Sequence, residues 1–441
     1  MFDAKTTRTP KDKTVSGWFD IAPDRQATPA LSGNIETDWL IVGSGFTGLA
    51  AAYRLSQLTD ESITVIDAQA LAWGASGRNS GFMIDLPHDI QSDDYTGGLD
   101  KDKATIRRNR EAIAFAGEAA KQFGLTEFYS ETGKYHGAVN EQGLSGLTGF
   151  QQHLTALGED FTVLDHQAMQ AVTGTDYYIG GLFTPSCVMI QPAAYTQGWG
   201  QGLVNQKRIR LYENTPALSI KSGTPHTVTT PAGSIKCQKL LLTNNGHIES
   251  FGLHKKRLVH LHLFGSMTRK LSNAEQATLG GQAQWGLIPA LPMGSTVRRY
   301  KDRIVMRNHI SYTPTQSESV RANQRSAQRH KQSFKNRFPM LNDVEMEYQW
   351  AGALCLSLNS VSAFGEVEKG VFVAACQNGL GLTSGTLAGK AIAEHACGES
   401  SDSLDFLLTQ NQPKRIVPEP FMSIGAKTRL WWGQRAAGLD L

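Results

Sequence analysis

The stretch that decides the fold is DWLIVGSGFTGLAAAYRLSQL, residues 38–58. An apolar strand is followed by a glycine motif at 43–48 and then by a helix rich in small residues. In this motif Gly43 allows the sharp turn, Gly45 lets the backbone approach a pyrophosphate, and Gly48 lets helix and strand pack closely. The pattern predicts a dinucleotide-binding unit whose helix N-terminus faces the phosphates.

A second buried strand, SITVID at 62–67, ends in Asp67. In dinucleotide-binding units a carboxylate at this offset from the glycine motif accepts hydrogen bonds from ribose hydroxyls. A merely tight turn would not need the acid. The acid also disfavours NADP, whose ribose carries a phosphate, so NAD and FAD remain.

The loop GASGRNSG at 74–81 bears on the choice between NAD and FAD. Its three glycines let the chain lie flat against a flavin ring. Arg78 is suited to neutralising phosphate charge, and Ser76, Asn79 and Ser80 supply short-range hydrogen-bond donors. A surface turn with one arginine would have the same composition, so this loop alone leaves both cofactors open.

A third glycine-rich stretch, CQNGLGLTSGTLAGK at 376–390, places Asn378, Gly379 and Gly381 just before a helix. Backbone N–H groups and the helix dipole there are suited to stabilising negative charge on the pyrimidine edge of a reduced flavin. A plain strand–helix turn is the alternative, since glycines are common at such turns. The return of the nucleotide-binding pattern here predicts two domains interleaved in sequence.

The bulk composition excludes several classes of protein. The chain has 441 residues, a net charge of only +3 and five cysteines, none of them in a CxxC pair. We therefore expect no nucleic-acid partner, disulfide framework or metal site. The N-terminus lacks an apolar signal region, and no apolar run is long enough for a transmembrane segment. These features predict a cytoplasmic protein.

Four stretches carry a resemblance to a known family: the arm GWFDIAPDRQATPALSGNIETDWLIVGSGFTGL, the loop WGASGRNSGF, the stretch KLLLTNNG and the tail VPEPFMSIGAKTRLWW. They resemble the FAD-dependent D-amino-acid-oxidase superfamily, and within it the gamma-glutamylputrescine oxidases. The likeness covers nearly the whole chain from about residue 16. The family's loop usually reads SGRNGG, and here Ser80 replaces the first of those two glycines.

The resemblance implies an α/β fold, in which a Rossmann-like FAD-binding domain of the glutathione-reductase type is interleaved with an antiparallel-sheet α+β substrate domain. We expect an extended N-terminal arm and a C-terminal tail on either side of this body. The predicted segments are 1–36 (arm), 37–98 (FAD-binding), 99–165 (substrate), 166–256 (FAD-binding), 257–348 (substrate), 349–400 (FAD-binding) and 401–441 (tail).

The resemblance also implies which residues hold FAD. The expected cofactor-binding residues are Gly43, Ser44, Gly45, Phe46, Thr47, Gly48, Asp67, Ala68, Gly74, Ala75, Ser76, Arg78, Asn79, Ser80, Gly81, Ala217, Thr243, Cys355, Asn378, Gly379, Leu380, Gly381, Leu382 and Thr383. Non-covalent FAD is favoured. A covalent link through Cys355 is the alternative, because in sarcosine oxidases a cysteine at the corresponding place in GALCLSLNS holds the flavin.

Candidate substrate-pocket residues lie on the predicted strand RIVMRNH at 303–309. Strand alternation places Arg307 and His309 on one face, where Arg307 is suited to a substrate carboxylate and His309 to the amine. Surface residues of a half-exposed strand are the alternative. Trp350 is a candidate pocket wall, although core packing explains it equally well.

Two further groups of residues are interpreted as structural and not as functional. His260 and His262 share a strand face, but without a third ligand nearby they are read as ordinary strand histidines and not as a metal pair. The arginines between 321 and 337 are expected to form a solvated helix face, because the net charge is close to zero.

The resemblance implies oxidation of a carbon–nitrogen bond. A hydride passes from the carbon beside a neutral amine to flavin N5, and the imine then hydrolyses. The sequence does not decide between several substrates, namely gamma-glutamylputrescine, a related polyamine conjugate, an N-methylated (sarcosine-type) amino acid and a D-amino acid. The electron acceptor is O2, which makes the enzyme an oxidase, or a quinone or protein, which makes it a dehydrogenase. A non-catalytic flavin-binding scaffold subunit and a nicotinamide dehydrogenase are the alternatives.

Overall fold

The computed structural model describes residues 3–86, 98–206 and 208–441. The end of the predicted segment 37–98 therefore lies partly outside the described residues. The strands are β1 (Asp3–Lys5), β2 (Ile35–Val42), β3 (Ile63–Ile66), β4 (Phe82–Met83), β5 (Tyr129–Ser130), β6 (Lys134–Ala138), β7 (Thr162–Asp165), β8 (Gly180–Thr184), β9 (Val188–Ile190), β10 (Ile209–Tyr212), β11 (Ser219–Lys221), β12 (His226–Thr230), β13 (Gly233–Leu242), β14 (Leu258–Thr268), β15 (Gln284–Pro289), β16 (Thr296–Tyr300), β17 (Arg303–Tyr312), β18 (Met346–Ser357), β19 (Ala363–Glu368) and β20 (Val371–Ala375).

The helices follow the same chain order. They are α1 (Gly17–Asp20), α2 (Phe46–Leu58), α3 (Leu99–Gln122), α4 (Glu141–Leu157), α5 (His166–Thr173), α6 (Pro192–Val204), α7 (Asn273–Leu279), α8 (Val320–Arg337), α9 (Thr383–Cys397), α10 (Asp402–Thr409) and α11 (Phe421–Ala437). Short 3₁₀ turns lie at Ala75–Gly77, Thr126–Phe128, Asn245–Phe251, Pro339–Leu341 and Gly438–Asp440. No helix in the described part of the chain is long and apolar enough to cross a membrane.

The first sheet has a parallel centre. Strand β2 pairs in parallel with β3 and β13, β3 pairs with β10, and β13 pairs with β20. These strands are buried on both faces, as their continuous apolar runs predict. An antiparallel extension, β13-β12-β11-β1, continues the sheet on one side.

The second sheet has eight strands in the order β18-β14-β17-β16-β15-β6-β8-β7. Its neighbours are antiparallel except for β15 and β6, which are parallel. Along the chain, strands of the first sheet alternate with strands of the second. The predicted fold class, a nucleotide-binding α/β unit interleaved with an antiparallel-sheet unit, is confirmed.

Two strands depart from the predicted segment boundaries. Strand β8 falls within the segment 166–256 that was assigned to FAD binding, yet it pairs with β6 and β7 in the second sheet. Strand β18 extends past residue 348 and pairs along its whole length with β14. Partners distant in sequence, and not the local pattern, decide which sheet a strand joins. The remaining boundaries stay predictions.

Close helix packing supports the first sheet. Helix α9 crosses α2 at Gly389, where an added Cβ would lie 2.2 Å from the Thr47 carbonyl oxygen. Such close backbone approach requires glycine at the contact. This crossing brings the N-terminal ends of the two helices beside the ends of β2 and β20.

The N-terminal arm is extended, as predicted, but it docks along the protein. Strand β1 pairs with β11, and the backbone N–H of Thr7 donates to the Ser250 carbonyl at 3.1 Å. Further along, the backbone N–H of Lys13 donates to Glu318 at 2.9 Å, and Trp18 is fully buried. The arm therefore contacts both sheet units.

The basic helix α8 differs in one respect from the prediction of a solvated face. Most of its arginines are exposed, but Arg337 at its end is completely buried. The Arg337 guanidinium donates to the Asp440 carbonyl at 2.8 Å and lies 3.8 Å from the Asp440 carboxylate. The buried cation thus ties the C-terminus to α8, which the sequence pattern could not show.

Candidate active site

The glycine motif has the geometry that its sequence predicts. Gly43 has a φ of +111°, a conformation that favours glycine, and its N–H donates to the Ile66 carbonyl at 2.8 Å. A Cβ on Gly48 would lie 1.8 Å from the Gly43 carbonyl oxygen. Gly45 caps α2 without a side-chain hydrogen bond of its own. The first N–H of the helix, that of Phe46, donates to Ser76, and the N–H groups that follow face the site at the positive end of the helix.

Asp67 binds the same turn. One carboxylate oxygen accepts hydrogen bonds from the Ser44 N–H at 2.8 Å and the Ser44 hydroxyl at 2.9 Å, and the other accepts from the Gln69 N–H at 2.9 Å. Burial raises the pKa of Asp67, and these hydrogen bonds oppose that shift. The carboxylate oxygen that accepts from Gln69 has a further lone pair that can accept a hydrogen bond from a ribose hydroxyl.

The loop 74–81 packs against the glycine motif. The Ser76 hydroxyl accepts the Phe46 N–H at 3.1 Å, and a Cβ on Gly45 would lie 2.8 Å from that hydroxyl. Asn79 folds the loop on itself, because its side chain donates to the Ser76 carbonyl at 2.8 Å and accepts from the Gly81 N–H at 2.8 Å. The loop is therefore a fixed wall of the site and not a surface turn.

Arg78 does not have the role predicted for it. Its buried guanidinium donates to the carbonyls of Trp73 at 2.6 Å, Ala351 at 3.1 Å and Thr14. Burial lowers its pKa, and the carboxylates of Asp12 and Glu318 oppose the shift. Because its donors are directed to carbonyl groups, Arg78 joins the loop to the arm and to β18 and does not neutralise a phosphate.

The glycine-rich turn before α9, at residues 376–382, contributes backbone groups to the site more than side chains. The Asn378 side chain accepts from the Ser357 N–H at 2.8 Å and donates to the Cys376 carbonyl at 3.2 Å, so it fastens the turn to β18. Gly379 has a φ of +88°, and α9 begins at Thr383 without a side-chain cap. The Ser384 N–H donates to the Leu380 carbonyl at 2.9 Å, and the turn 379–382 before α9 borders the site.

One cavity of about 360 Å³ joins these elements. The predicted residues that line it are Gly43, Ser44, Gly45, Phe46, Thr47, Asp67, Ala68, Gly74, Ala75, Ser76, Arg78, Asn79, Ser80, Gly81, Ala217, Thr243, Cys355, Gly379, Leu380, Gly381, Leu382 and Arg307. Gly48, Asn378 and Thr383 are not among the lining residues. His309 and Trp350 are also outside the lining among the described residues.

A β-bulge separates Arg307 from His309, so the predicted shared face is wrong. Strand β14 pairs with β17 in a register that shifts between Leu263 and Phe264, which leaves His309 as the extra residue, with a φ of +59°. A bulge interrupts the two-residue alternation of side chains. Arg307 faces the cavity, where it donates to the Thr296 hydroxyl at 3.0 Å, whereas His309 hydrogen-bonds Ser326 of α8.

Trp350 is part of the core and does not wall the cavity. Its indole N–H donates to the Arg78 carbonyl at 2.9 Å, and its ring would lie 2.8 Å from a Cβ on Gly265. The equally weighted alternative, core packing, is therefore the correct one. Trp350 acts on the site only by holding the loop 74–81 in place.

The histidines of β14 both line the cavity. His260 Nε2 lies 2.6 Å from the Glu249 carboxylate and 3.0 Å from the Gln316 amide nitrogen. Burial lowers the pKa of His262 to about 4, so His262 is neutral at pH 7. Within residues 3–86, 98–206 and 208–441, no group of three His, Cys, Asp or Glu side chains is placed to hold a metal.

Cys355 lines the same cavity and is buried. Its thiol donates to the Asn245 side-chain oxygen at 3.1 Å. A hydrogen bond with Cys376, together with burial, holds the pKa of this thiol well above its usual value. A thiol that stays protonated is a poor nucleophile, which favours non-covalent binding of a cofactor.

Several lining residues were missed by sequence reasoning. They come from the arm and from polar loops: Thr6, Arg8, Thr9, Pro10, Asp12, Asn244, His247, Ser250 and Gln316. The arm carries no motif, and its place depends on pairing between β1 and β11, more than two hundred residues apart in the chain. The stretch KLLLTNNG did signal the region of Asn244, although only Thr243 was singled out in it.

The lining fits a dinucleotide. Buried polar atoms of Asn244, His247 and Ser250 have no hydrogen-bond partner among the described residues, which is costly unless a ligand supplies one. The N-termini of α2 and α9, whose own N-cap residues make no side-chain hydrogen bond, adjoin the cavity, and such termini bind anionic groups. Glycines at 43, 45 and 379 leave room for a ligand to approach the backbone.

Comparison with known proteins shows which family the chain resembles. A family model described as FAD dependent oxidoreductase (DAO) matches residues 38–395. The chain is 24% identical to a probable oxidoreductase OrdL of Haemophilus influenzae, over 87% of this chain and 88% of that protein. It is also 24% identical to the gamma-glutamylputrescine oxidoreductase of Escherichia coli, over 90% of this chain and 92% of that protein.

A solved structure has the same fold. The glycine oxidase of Geobacillus kaustophilus superimposes with a TM-score of 0.70 at 15% identity, covering 87% of this chain and all of that one. At this identity the likeness concerns the fold alone. The family match spans most of the chain and includes every glycine-rich element of the cavity. The chain therefore belongs to the DAO family of FAD-dependent oxidoreductases, and its cofactor is FAD.

Proposed function

We propose that this flavoenzyme oxidises the carbon–nitrogen bond of a primary or secondary amine that carries a carboxylate. The observation that carries the proposal is the position of Arg307. It lies in the cavity lined by the cofactor-binding glycines, and a guanidinium binds carboxylates in a bidentate manner. When bound, FAD supplies the acceptor for a hydride. The protein aligns the substrate and excludes water.

The cavity histidines are suited to an amine substrate. His262 is neutral at pH 7, because burial lowers its pKa to about 4, so it adds no positive charge against an ammonium group. The pair of His260 and Glu249, 2.6 Å apart, offers a place for a proton that the ammonium must lose before oxidation. This assignment rests on position and charge, since Arg307, His260 and His262 all line one cavity.

We infer that the substrate is a gamma-glutamylputrescine-like conjugate, with a role in polyamine catabolism in the cytoplasm. Arg307 would anchor the carboxylate of the conjugate while its amine lies at the reacting position. The relation to an E. coli enzyme of that name supports this choice. A D-amino acid or a sarcosine-type N-methyl amino acid is the second candidate, since these also combine an amine with a carboxylate.

An anaerobic screen of amines tests the proposal. The holoenzyme is mixed with gamma-glutamylputrescine, putrescine, D-amino acids and sarcosine, and loss of the visible flavin absorbance is recorded. Bleaching by the conjugate at a lower concentration than by putrescine, which reacts without the help of a carboxylate, is the expected result. If no amine bleaches the protein, it is a flavin-binding scaffold. Readmission of O2 and measurement of peroxide then separate an oxidase from an enzyme that uses a quinone or a protein acceptor.

Replacement of Arg307 tests the anchor. For a carboxylate-bearing amine, Arg307→Met should raise KM by roughly tenfold to a hundredfold, which corresponds to a lost charge-assisted hydrogen bond. A carboxylate-free amine serves as the control substrate, because its KM should be unchanged. An equal rise for both substrates would show that Arg307 shapes the cavity and does not bind a carboxylate.

A further inference from the structure

The C-terminal helix α11 is fixed to the second sheet by one face and by its end. The Gln434 amide donates to the Ile310 carbonyl at 3.0 Å, and the Ser333 hydroxyl donates to the Leu441 carbonyl at 2.9 Å. The Ser295 N–H donates to the Asp440 carbonyl at 2.6 Å. The orientation of α11 is therefore set by the fold, and its other face is presented outward.

The outward face of α11 carries a stripe of large apolar side chains, Phe421, Ile424, Trp431 and Trp432, which we call the tail stripe. Their exposed fractions are 68%, 60%, 54% and 61%. The spacing places them along one side of a helix. A row of two tryptophans, a phenylalanine and an isoleucine this exposed is uncommon on a free protein surface and marks an interaction site.

The charge around the tail stripe is predominantly positive. Helix α11 contains Lys427, Arg429 and Arg435 but no acidic residue, and the Arg435 guanidinium lies 5.5 Å from the Trp431 ring centroid. The neighbouring helix α8 contacts α11 through Arg329 and Gln434, at 2.9 Å, and likewise contains no acidic residue. The nearest acid along the chain, Glu419, is hydrogen-bonded to Tyr312.

We propose that α11 lies flat on an anionic lipid bilayer. The tail stripe enters the boundary between headgroups and acyl chains, while the basic side chains of α11 and α8 contact lipid phosphates. Interfacial helices have this combination of aromatic and aliphatic residues on one face with Lys and Arg beside them. Tryptophan in particular favours the membrane–water interface.

Charge argues against a second copy of the chain as the occupant. In a symmetric dimer the same surface meets itself, so Lys427 and Arg435 would face their own counterparts. An anionic bilayer instead complements them. The surface is separate from the cofactor cavity, whose described lining includes no residue of α11. The proposal thus stands apart from the proposed reaction.

Vesicle co-sedimentation tests the proposal with the full-length, FAD-loaded protein. We expect it to pellet with vesicles of phosphatidylcholine and phosphatidylglycerol, and much less with phosphatidylcholine alone. Added salt should release it, because salt screens the attraction of basic side chains to the surface. Tryptophan emission should shift to the blue on binding. Absence of sedimentation with the anionic vesicles would overturn the proposal.

Paired variants separate the tail stripe from apolar exposure in general. Trp431→Ala/Trp432→Ala should weaken vesicle binding at least tenfold, and Phe421→Ala/Ile424→Ala should do so independently. Val163→Ala/Leu408→Ala, at other sites that are 57% and 44% exposed, should bind like the original protein. Unchanged FAD content and melting temperature show that each variant is folded.

A charge variant, Lys427→Gln/Arg435→Gln/Arg325→Gln, should lose the preference for anionic vesicles by about tenfold or more. Equal binding by the original protein and both tail-stripe variants would overturn the proposal. So would self-association in sedimentation velocity that these variants abolish, since the tail stripe would then be an interface between copies. Neither result depends on finding an amine substrate. A failure of the membrane proposal can therefore be distinguished from a failure of the proposed reaction.

Discussion

At the scale of single residues, buried charges determine how the site is held. Arg78 shows this most clearly, because its guanidinium connects three separate segments of chain through the carbonyls of Thr14, Trp73 and Ala351. The sequence predicts that this arginine belongs to the site but not which groups it contacts. A guanidinium can donate to phosphate or to carbonyl oxygens, and only the long-range approach of the arm and β18 places carbonyl groups within its reach.

We predict that Arg78→Met lowers the free energy of unfolding by roughly 2–4 kcal/mol, because one buried and two partly buried carbonyl groups lose their donor. FAD should also be retained less tightly, since the loop 74–81 loses its anchor. Arg107→Met is the control. Arg107 is 66% exposed and pairs with the exposed Asp402, so its loss should cost at most about 0.5 kcal/mol. Urea unfolding measures both, and equal effects would contradict the prediction.

Buried neutral histidines make stability depend on pH. Burial lowers the pKa of His330 to about 3, and its Nδ1 lies 2.6 Å from the Ser266 hydroxyl. Below pH 6.5 the unfolded chain binds a proton here that the folded chain does not, so stability falls as pH falls, by up to about 1.4 kcal/mol per pH unit. Burial raises the pKa of Asp12 and Asp440 to about 6, which has the opposite effect.

His330→Asn isolates the histidine, because an asparagine can keep the hydrogen bond to Ser266. From neutral pH to about pH 5, urea unfolding of this variant should show less loss of stability than the original protein. The difference should grow as pH falls, at up to about 1.4 kcal/mol per pH unit. Parallel pH profiles for the two proteins would show that His330 is not a neutral buried group.

The raised pKa of the Cys355 thiol leads to a prediction about FAD. Acid precipitation should release all FAD to the supernatant and leave a colourless pellet, because a protonated thiol does not attack a carbon centre readily. Cys355→Ser should behave identically. A yellow pellet from the original protein that becomes colourless in Cys355→Ser would instead show a covalent link.

At the scale of elements, the glycine-rich turns and buried strands were predictable because local sequence dictates them. Gly43 marks its turn because glycine is the residue type that a positive φ favours. The strands β2, β3 and β20 are marked by continuous apolar runs. The bulge at His309 was not predictable, because it depends on the register between β14 and β17. The assignment of β8 to the FAD-binding segment was wrong for a similar reason, because its pairing with β6 and β7 places it in the second sheet.

The crossing of α2 and α9 can be tested by adding one methyl group. A Cβ at Gly389 would lie 2.2 Å from the Thr47 carbonyl oxygen and 2.8 Å from the Ala50 side chain, so Gly389→Ala should destabilise the protein by roughly 1–3 kcal/mol. Gly425→Ala is the matched control. It also lies within a helix, but nothing stands within 4 Å of its added Cβ, so it should be neutral or stabilising by up to about 1 kcal/mol.

Thermal unfolding of the FAD-loaded proteins measures both glycine variants. The Gly389→Ala protein should also lose FAD more readily, because the ends of α2 and α9 adjoin the cavity. If both substitutions had the same effect, helix propensity and not close packing would govern the response.

At the scale of the whole molecule, the cavity unites three parts of the chain that are independent in sequence. Its lining includes the first sheet at Asp67, the second sheet at Arg307 and the arm at Thr6 and Asp12. A ligand that contacts all three stabilises their mutual arrangement, since whatever binds only the folded state shifts the equilibrium toward it. FAD is thus expected to order the arm as well as to serve the reaction.

Limited trypsin digestion tests this link between FAD and the arm. Lys11 and Lys13 flank Asp12, which lines the cavity, so cleavage there requires the arm to leave its place. Removal of FAD should speed this cleavage severalfold, and added FAD should restore the slower rate. Exposed Lys414 and Arg415, outside the described lining, provide the internal control, because their cleavage should not depend on FAD. Equal arm cleavage with and without FAD would mean that the arm docks by its own contacts, namely the pairing of β1 with β11 and the hydrogen bonds to Glu318.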